Sequence, residues 1–411
     1  MADSAPNVLI TGVTGFIGSC LAAALLARGG KVLCLVRGEA RAERTLSRIE
    51  AAASGQGLEL DAAWRARVEV APYDLTVLEQ EHAASLAELD VVWHLAAMLS
   101  FSSRKLRESM DFNVGGTHAL YDLVRRCARG KPRFHYVSTA YTGGVEARSI
   151  REEVHLSPRL VNPYFVSKWC TELILEKLAR SENALPVTIY RPTLVVGHSQ
   201  TGWYGGQSYG LYNFVDAVHA GNLTGRRRMH LDIAPGTHHN YIPIDDVIQN
   251  CVALSCQQER RRAFEVFHDT GTENSNRERV DWISQGLGLE LRLGRPSTLA
   301  DYVVDRWVSV NKPFNCEAVG PRPFPFESGG LSRLLGADYS HHAMDERLHL
   351  ELVRSYREHT LKDVEARLFQ RSRLASSLRF SILLGLTAIL PKRPIAGLFA
   401  REVARAHGYI S

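Results

Sequence analysis

The sequence predicts an α/β fold built on a doubly wound parallel sheet. Two observations predict it: short β-branched runs alternate with helix-forming segments from Val8 onward, and the first run ends in a glycine-spaced turn that opens a helix. Strands are expected at Val8–Ile10, Lys31–Val36, Arg67–Pro72, Val91–Leu95, Phe134–Val137, Thr188–Arg191 and Ala263–His268, with helices at Phe16–Arg28, Ala40–Ala53, Val114–Arg129 and Tyr164–Ser181. A chain of 411 residues, 45% of them apolar, buries such a core and leaves material for an appendage.

The turn reads Thr11-Gly12-Val13-Thr14-Gly15-Phe16-Ile17-Gly18. Glycines at 12, 15 and 18 permit a tight turn, close approach of backbone to a pyrophosphate, and contact between helix and strand, while the helix N-terminus offers free N–H groups to the anion. Strand, glycine turn and helix together indicate a Rossmann-type dinucleotide site along Gly12, Thr14, Gly15, Phe16, Ile17 and Gly18. NAD-selective sites carry an acidic residue about 20 residues further on, where it holds the ribose hydroxyls. Val36 and Arg37 stand there instead. A guanidinium grips a 2′-phosphate that a carboxylate would repel, so NADP(H) is the expected cofactor, with Arg37 as a solvated surface arginine the rival reading. Asp74 and Leu75 follow the third strand and are candidates for the adenine edge, although Asp74 also reads as a plain turn aspartate. Leu95, Ala96 and Ala97 supply small residues beside the cofactor after the fourth strand, and Asn113 follows on the next helix.

In Asn162-Pro163-Tyr164-Phe165-Val166-Ser167-Lys168, Asn162 is a helix cap and Pro163 takes a first helical position, so Tyr164 and Lys168 share a face one turn apart. A phenol titrates near pH 10, and a neighbouring ammonium stabilises its phenolate, which makes the pair a proton donor and acceptor at neutral pH. Lys168 also suits the nicotinamide ribose. The third member comes from the end of the fifth strand, Ser138-Thr139-Ala140-Tyr141, where a hydroxyl can donate to a carbonyl oxygen that gains negative charge. Ser138 and Thr139 both offer that hydroxyl.

With the glycine loop, HLAA, STAY, YxxxK and YRPTLVVG in this order, the chain resembles the extended short-chain dehydrogenase/reductases across about residues 7–270. TGVTGFIG, KVLCLVRG, YVSTAYTGG, NPYFVSKWCTE and TIYRPTLVVG make it most similar to their thioester reductase and fatty acyl-CoA reductase branch. The resemblance implies that Gly12, Gly15 and Gly18 hold pyrophosphate, Arg37 the 2′-phosphate, Thr139, Tyr164 and Lys168 the chemistry, while Arg191 and Pro192 line the nicotinamide side. It implies NADPH-dependent reduction of an acyl-CoA or carrier-bound thioester to an aldehyde and, with a second hydride, an alcohol. No adenylation or carrier domain is expected ahead of the segment, and the thioester is expected to arrive on another protein, such as an acyl carrier protein, or as a CoA ester. The residues beyond about Gly320 match no motif of the branch. Two other readings stand beside it: an alcohol or ketone oxidoreductase or sugar-nucleotide epimerase of the same fold, and a dinucleotide-binding protein without turnover. Val36 and Arg37 speak against NAD-retaining epimerases.

The domain reading places an NADP-binding core at residues 1–200, with 241–270 returning to it, a substrate-binding subdomain at 201–240 and 271–330, and a C-terminal helical extension at 331–411. The run PRPFPFESGG from Pro321 reads as an extended linker, and Ala343–Phe369 has helical periodicity. Trp203, Tyr204, Tyr209, Tyr212 and Phe214 suit either the wall of an apolar channel or core packing. Arg226, Arg227 and Arg228 suit either a phosphate of CoA or a solvated face. A net charge of +5 is too mild to imply nucleic acid, and seven dispersed cysteines without a CxxC pair read as reduced thiols in a cytoplasmic protein. His238 and His239 are adjacent, not at ligand spacing, so no metal site is expected. No signal peptide is visible, and the longest apolar run, Phe380–Leu390, falls short of the roughly 20 residues of a membrane span. The basic tail around it reads as a helix docked on the main domain or as a peripheral membrane contact.

Overall fold

The computed structural model describes residues 6–368 apart from 38–41, 145–146, 207–209, 224, 258–261, 297, 300 and 303–323, together with residue 382. Its strands are β1 (Asn7–Thr11), β2 (Lys31–Val36), β3 (Val68–Pro72), β4 (Val91–His94), β5 (Arg133–Val137), β6 (Val187–Pro192), β7 (Leu194–Val196), β8 (Arg228–Leu231), β9 (His238–Pro243), β10 (Phe264–Asp269), β11 (Thr272–Ser275) and β12 (Glu290–Leu293). The helices are α1 (Phe16–Ala27), α2 (Ala42–Gln56), α3 (Leu75–Glu81), α4 (Ala83–Ala87), α5 (Leu106–Ser109), α6 (Gly116–Cys127), α7 (Pro163–Ala179), α8 (Leu211–Asn222), α9 (Ile244–Cys256), α10 (Asn276–Leu287), α11 (Gly330–Leu335), α12 (Glu346–Tyr356) and α13 (Lys362–Leu368).

Seven strands form one parallel sheet in the order β10-β6-β5-β4-β1-β2-β3. Parallel strands are covered by helices on both faces, which explains the continuous apolar runs: Val8, Leu9 and Ile10 are fully buried, and Ile10 pairs with both Cys34 and Trp93. Strand order reverses between β1 and β4, and that crevice at the carboxyl ends of the strands is where this architecture binds its ligands. All seven sheet strands lie within about a residue of their sequence-based positions. The expected helix from Val114 differs more: Met110–Gly115 forms a wide π-helical turn, and the regular helix starts only at Gly116.

Two units are present. The described residues of 1–205, 240–271 and 324–343 make up the first, and those of 206–239, 272–323 and 344–411 the second. The boundary at the C-terminal side differs from the sequence reading. From Phe324 the chain is no linker, because Leu331 and Leu335 of α11 are buried in the core that also holds α1 and α9. Asp246, in the first turn of α9, then accepts hydrogen bonds from Ser340 Oγ (2.6 Å) and from the backbone nitrogen of His342 (2.7 Å), which secures residues 340–342 to the same unit. The two aromatic alternatives resolve toward packing. Within the first unit, Trp203 lies on the Phe16 ring at 5.6 Å; within the second, Tyr212 packs on Tyr356 at 4.8 Å and the Arg279 guanidinium sits 4.4 Å over Phe214. Tyr209 falls outside the described residues. Arg226 pairs with Asp301, and Arg228 with Glu290 at 2.6 Å, so these members of the arginine run are held by carboxylates of their own unit. Of the expected tail, residues 371–411 lie outside the described residues except Ile382. No helix among the described residues is long and apolar enough to cross a membrane.

The placement of α11 generates a stability prediction. Leu331→Ala should cost about 2–5 kcal/mol in urea unfolding, the value of a core leucine, whereas a linker side chain would cost under about 0.5 kcal/mol.

Candidate active site

The glycine turn is dictated by backbone contacts. Gly12 has φ +72°, and a Cβ there would lie 2.8 Å from the Ala96 nitrogen; a Cβ at Gly18 would lie 2.3 Å from the Gly12 carbonyl oxygen. Only residues without a side chain allow β1, the turn and α1 to approach this closely. Gly15 is the N-cap of α1 and contributes no side-chain hydrogen bond, which leaves the first-turn N–H groups to an anion. The cradle fits a dinucleotide pyrophosphate on both counts. Thr14 and Ile17 are half-buried in this turn, and the Phe16 side chain is covered by Trp203.

A hydrogen-bonded chain fixes what surrounds the cradle. Thr11 Oγ1 accepts from the Leu95 (3.1 Å) and Ala96 (3.0 Å) nitrogens, so both its lone pairs are taken and its own hydroxyl donates to His94 Nδ1 at 2.7 Å. His94 Nε2 therefore carries the proton and donates to Thr117 Oγ1 at 2.8 Å, and the Thr117 hydroxyl donates to the Asn113 carbonyl oxygen. Burial, helped by the Lys168 charge, pushes the His94 imidazole down to about 3, which keeps it neutral in this directional chain. Asn113 Nδ2 continues the chain to Ser167 Oγ (2.8 Å), and Ser167 Oγ donates to the Tyr164 carbonyl oxygen (2.9 Å). Asn113 Oδ1 meanwhile accepts from the Met98 nitrogen at 2.6 Å. The strand that ends in the glycine turn is thus linked, bond by bond, to the helix that carries Tyr164 and Lys168.

Helix α7 starts as the sequence indicates: Asn162 Oδ1 accepts from the Phe165 nitrogen at 2.9 Å, with Pro163 at the first position. Lys168 is fully buried and donates to the Val137 carbonyl oxygen at 2.6 Å, two residues before Thr139. Its Nζ sits 4.5 Å from the Tyr136 ring centre and 5.8 Å from that of Tyr164. Burial, opposed by the charge of Glu172, pushes the ammonium down from 10.5 to about 7. Tyr164 is half-buried, with the edge of Phe101 against it at 6.3 Å. Thr139 caps the single turn Ala140–Gly143. Ser138, the rival hydroxyl, is buried, and its Oγ has no hydrogen-bond partner among the described residues.

Arg37 and Asp74 flank the other end. Arg37 is exposed at the end of β2, lies 5.2 Å over the Phe112 ring and has no carboxylate partner among the described residues. Asp74 spends Oδ1 on the N-terminus of α3, accepting from Thr76 (2.9 Å) and Val77 (3.2 Å), while Leu75 opens that helix. The Leu95 and Ala96 backbone lies against Gly12, and Ala97 follows, half-buried. Pro192 ends β6 and is buried.

Arg191 behaves otherwise than the motif suggests. Its guanidinium is fully buried and all five donors are used: Nε (2.9 Å) and Nη2 (2.6 Å) on Glu172, Nη2 on the Glu153 carbonyl (2.9 Å), and Nη1 on the Arg151 carbonyl (3.2 Å) and His268 Nε2 (3.1 Å). No donor remains for a nicotinamide ring, so the side chain organises the loop after Thr139 and leaves only its backbone to line the site. Glu172, which the sequence reading passed over, also accepts from Thr142 Oγ1 at 3.2 Å. Its position one turn beyond Lys168 on the same helix was the available signal. Asp245, Asp246 and His342 bring ligand-type atoms within 4.8 Å of one another, but Asp246 is already engaged by His342 Nδ1 at 2.6 Å.

A glycine-lined crevice at the strand-order switch, joined to a Tyr-Lys helix, defines a dinucleotide-dependent oxidoreductase of the extended short-chain dehydrogenase/reductase class. Residues 10–251 match the male sterility protein family of NAD-binding domains, and the chain belongs to that family. It is 27% identical over 310 residues to an isonitrile lipopeptide synthase of Streptomyces coeruleorubidus, covering 71% of this chain and 19% of that protein. It is 28% identical over 218 residues to an aldehyde reductase of Aspergillus flavus, covering 49% of this chain and 20% of that one. The chain thus spans about a fifth of the length of these curated relatives. Among solved structures, the terminal R domain from the myxalamid PKS-NRPS biosynthetic pathway matches with a TM-score of 0.68 and 24% identity, covering 87% of this chain and 92% of the domain. MoeE5 in complex with UDP-glucose and NAD matches at 0.59 and 19%, covering 85% and 98%. Both share the fold.

The buried ammonium makes the cofactor-free protein pH-sensitive. The unfolded chain holds the Lys168 proton up to about 10.5 and the native state only to about 7, so stability should rise with pH between these values. Thermal melts from pH 7 to 10 should show that rise, and Lys168→Met should flatten it.

Proposed function

We propose that this chain reduces an acyl thioester, presented on CoA or a carrier protein, with NADPH. The observation that carries the redox reading is Lys168, a buried ammonium beside the Tyr164 ring that reaches the strand end bearing Thr139. NADPH is favoured over NADH by Val36 and by an Arg37 guanidinium that has no carboxylate partner among the described residues and lies exposed at the end of β2, where a 2′-phosphate would be met. The kinship with pieces of multifunctional synthases supports a thioester, because such assembly lines hold their products on carrier thiols.

When bound, the reduced dinucleotide supplies a hydride to the thioester carbonyl carbon. Gly12, Gly15 and Gly18 would seat its pyrophosphate and Lys168 its ribose. Thr139 donates a hydrogen bond to the carbonyl oxygen as charge builds there, and Tyr164 donates the proton that this oxygen takes up. Lys168 stabilises the phenolate that remains. The resulting hemithioacetal then breaks its C–S bond as its hydroxyl proton passes to the departing sulfur, releasing thiol and aldehyde.

The test mixes purified protein with NADPH and a panel of acyl-CoA esters, aldehydes, ketones and UDP-sugars while absorbance of the reduced cofactor is followed. Thioester-dependent oxidation with free thiol release is expected. Oxidation with carbonyl compounds alone would replace the thioester reading by a ketone or aldehyde reductase, and no oxidation with any of them would remove the reductase reading. Tyr164→Phe should lower kcat by about 10²–10⁴-fold with little change in NADPH affinity. Arg37→Ala should weaken NADPH binding at least about tenfold more than NADH binding, read by cofactor fluorescence titration; equal losses would remove the phosphate assignment.

A further inference from the structure

The segment 324–330 reads in the sequence as a spacer, yet it lies on the loop that runs between Thr139 and Tyr164. Ile150 donates its N–H to the Pro325 carbonyl (2.9 Å), and Glu327 donates to the Ile150 carbonyl (2.9 Å), a parallel bridge centred on Ile150 and Phe326. Ser149 hydrogen-bonds the Glu327 carboxylate. Glu152 accepts from the nitrogens of Gly330 (2.9 Å) and His268 (3.0 Å), and His268 Nδ1 donates to the Glu327 carbonyl at 2.8 Å while its Nε2 accepts from Arg191. The loop is thereby stitched to this segment at three successive points.

The apolar side of the same segment reaches the catalytic turn. Phe324 and Phe326 stack on each other at 5.5 Å, and Tyr141 stands edge-on to both, at 5.1 and 5.7 Å. Tyr141 is the second residue of the turn that Thr139 caps, and it stacks on Phe165 at 5.9 Å, the neighbour of Tyr164. A Cβ at Gly143, at the far end of that turn, would lie 2.4 Å from the Ile150 side chain, so the bridged Ile150 presses the turn from its other end. A one-turn helix has little stability of its own; its position is set by what packs on it.

We propose that residues 324–330 are a positioning strap of the active site, in which Phe324 and Phe326 fix Tyr141 and, through it, hold the Thr139 hydroxyl in register with Tyr164. The proposal rests on the assignment of Thr139 and Tyr164 as catalytic. Phe324 and Phe326 touch no reacting atom; they act through the turn.

A double-mutant cycle tests it, using Phe326→Ala, Phe326→Leu, Thr139→Ala and Phe326→Ala with Thr139→Ala, assayed with NADPH and octanoyl-CoA, or octanal if the ester is not turned over. Phe326→Ala is expected to lower kcat about tenfold with the KM for NADPH within about twofold, Phe326→Leu to recover most of the loss, and Phe326→Ala to cost nothing further once Thr139 is alanine. Losses that multiply, or a kcat for Phe326→Ala within about twofold of the parent, would overturn the strap. If Thr139→Ala itself is silent, or neither compound is turned over, the catalytic assignment is what fails. Amide hydrogen exchange then decides the strap separately: faster exchange across residues 139–144 in Phe326→Ala supports it, and unchanged protection there overturns it.

Discussion

The proposed active site depends on holding an ammonium where water cannot reach it. Lys168 is fully buried, and taking a charge out of water costs several kcal/mol unless the protein replaces the lost hydration. Three groups do so: the Val137 carbonyl oxygen at 2.6 Å, the face of the Tyr136 ring at 4.5 Å and the Glu172 charge one turn further along the helix. None of them fully restores the proton affinity, and a lysine poised near neutrality is the outcome. Such a residue can carry charge when a phenolate or a ribose hydroxyl comes beside it, and it can lose that charge at small cost when none does.

That arrangement requires a rigid surround, which two polar systems provide. The chain from Thr11 through His94, Thr117, Asn113 and Ser167 fixes α7 relative to the glycine turn with each proton assigned a direction. The Glu172–Arg191 pair fixes α7 relative to the loop after Thr139, since Arg191 also holds the Arg151 and Glu153 carbonyls. A buried pair of this kind contributes little net stability, and breaking it by removing one partner costs about 3–5 kcal/mol. Its value here is geometric.

The sheet was legible because parallel strands buried on both faces must be apolar throughout, and because three glycines at close spacing leave few conformations open. The Tyr164 helix was legible from its cap, its proline and its i, i+4 pair. Other features were not, for physical reasons. A run such as PFPFES carries proline and polar residues whether it crosses solvent or lies on a loop, and only the partners Ile150, Tyr141 and Glu152, some 180 residues away in sequence, distinguish the two. Arg191 sits in a strand-end motif next to the cofactor crevice, but which way a strand side chain points depends on register, and here a buried carboxylate claims it. The π-helical turn that presents Asn113 leaves no periodic trace, because the Asn113 carbonyl is held by side-chain hydroxyls, that of Thr117 one turn on and that of Thr171 from α7.

In the proposed mechanism one crevice seats the dinucleotide and turns its nicotinamide toward Tyr164. A crystal structure of the protein soaked with NADP+ tests it most directly. Pyrophosphate is expected on the turn from Gly12 to Gly18, the 2′-phosphate against Arg37, and Lys168 Nζ within hydrogen-bond reach of the nicotinamide ribose. Pyrophosphate bound elsewhere, or a nicotinamide ring lying away from Tyr164, would contradict it.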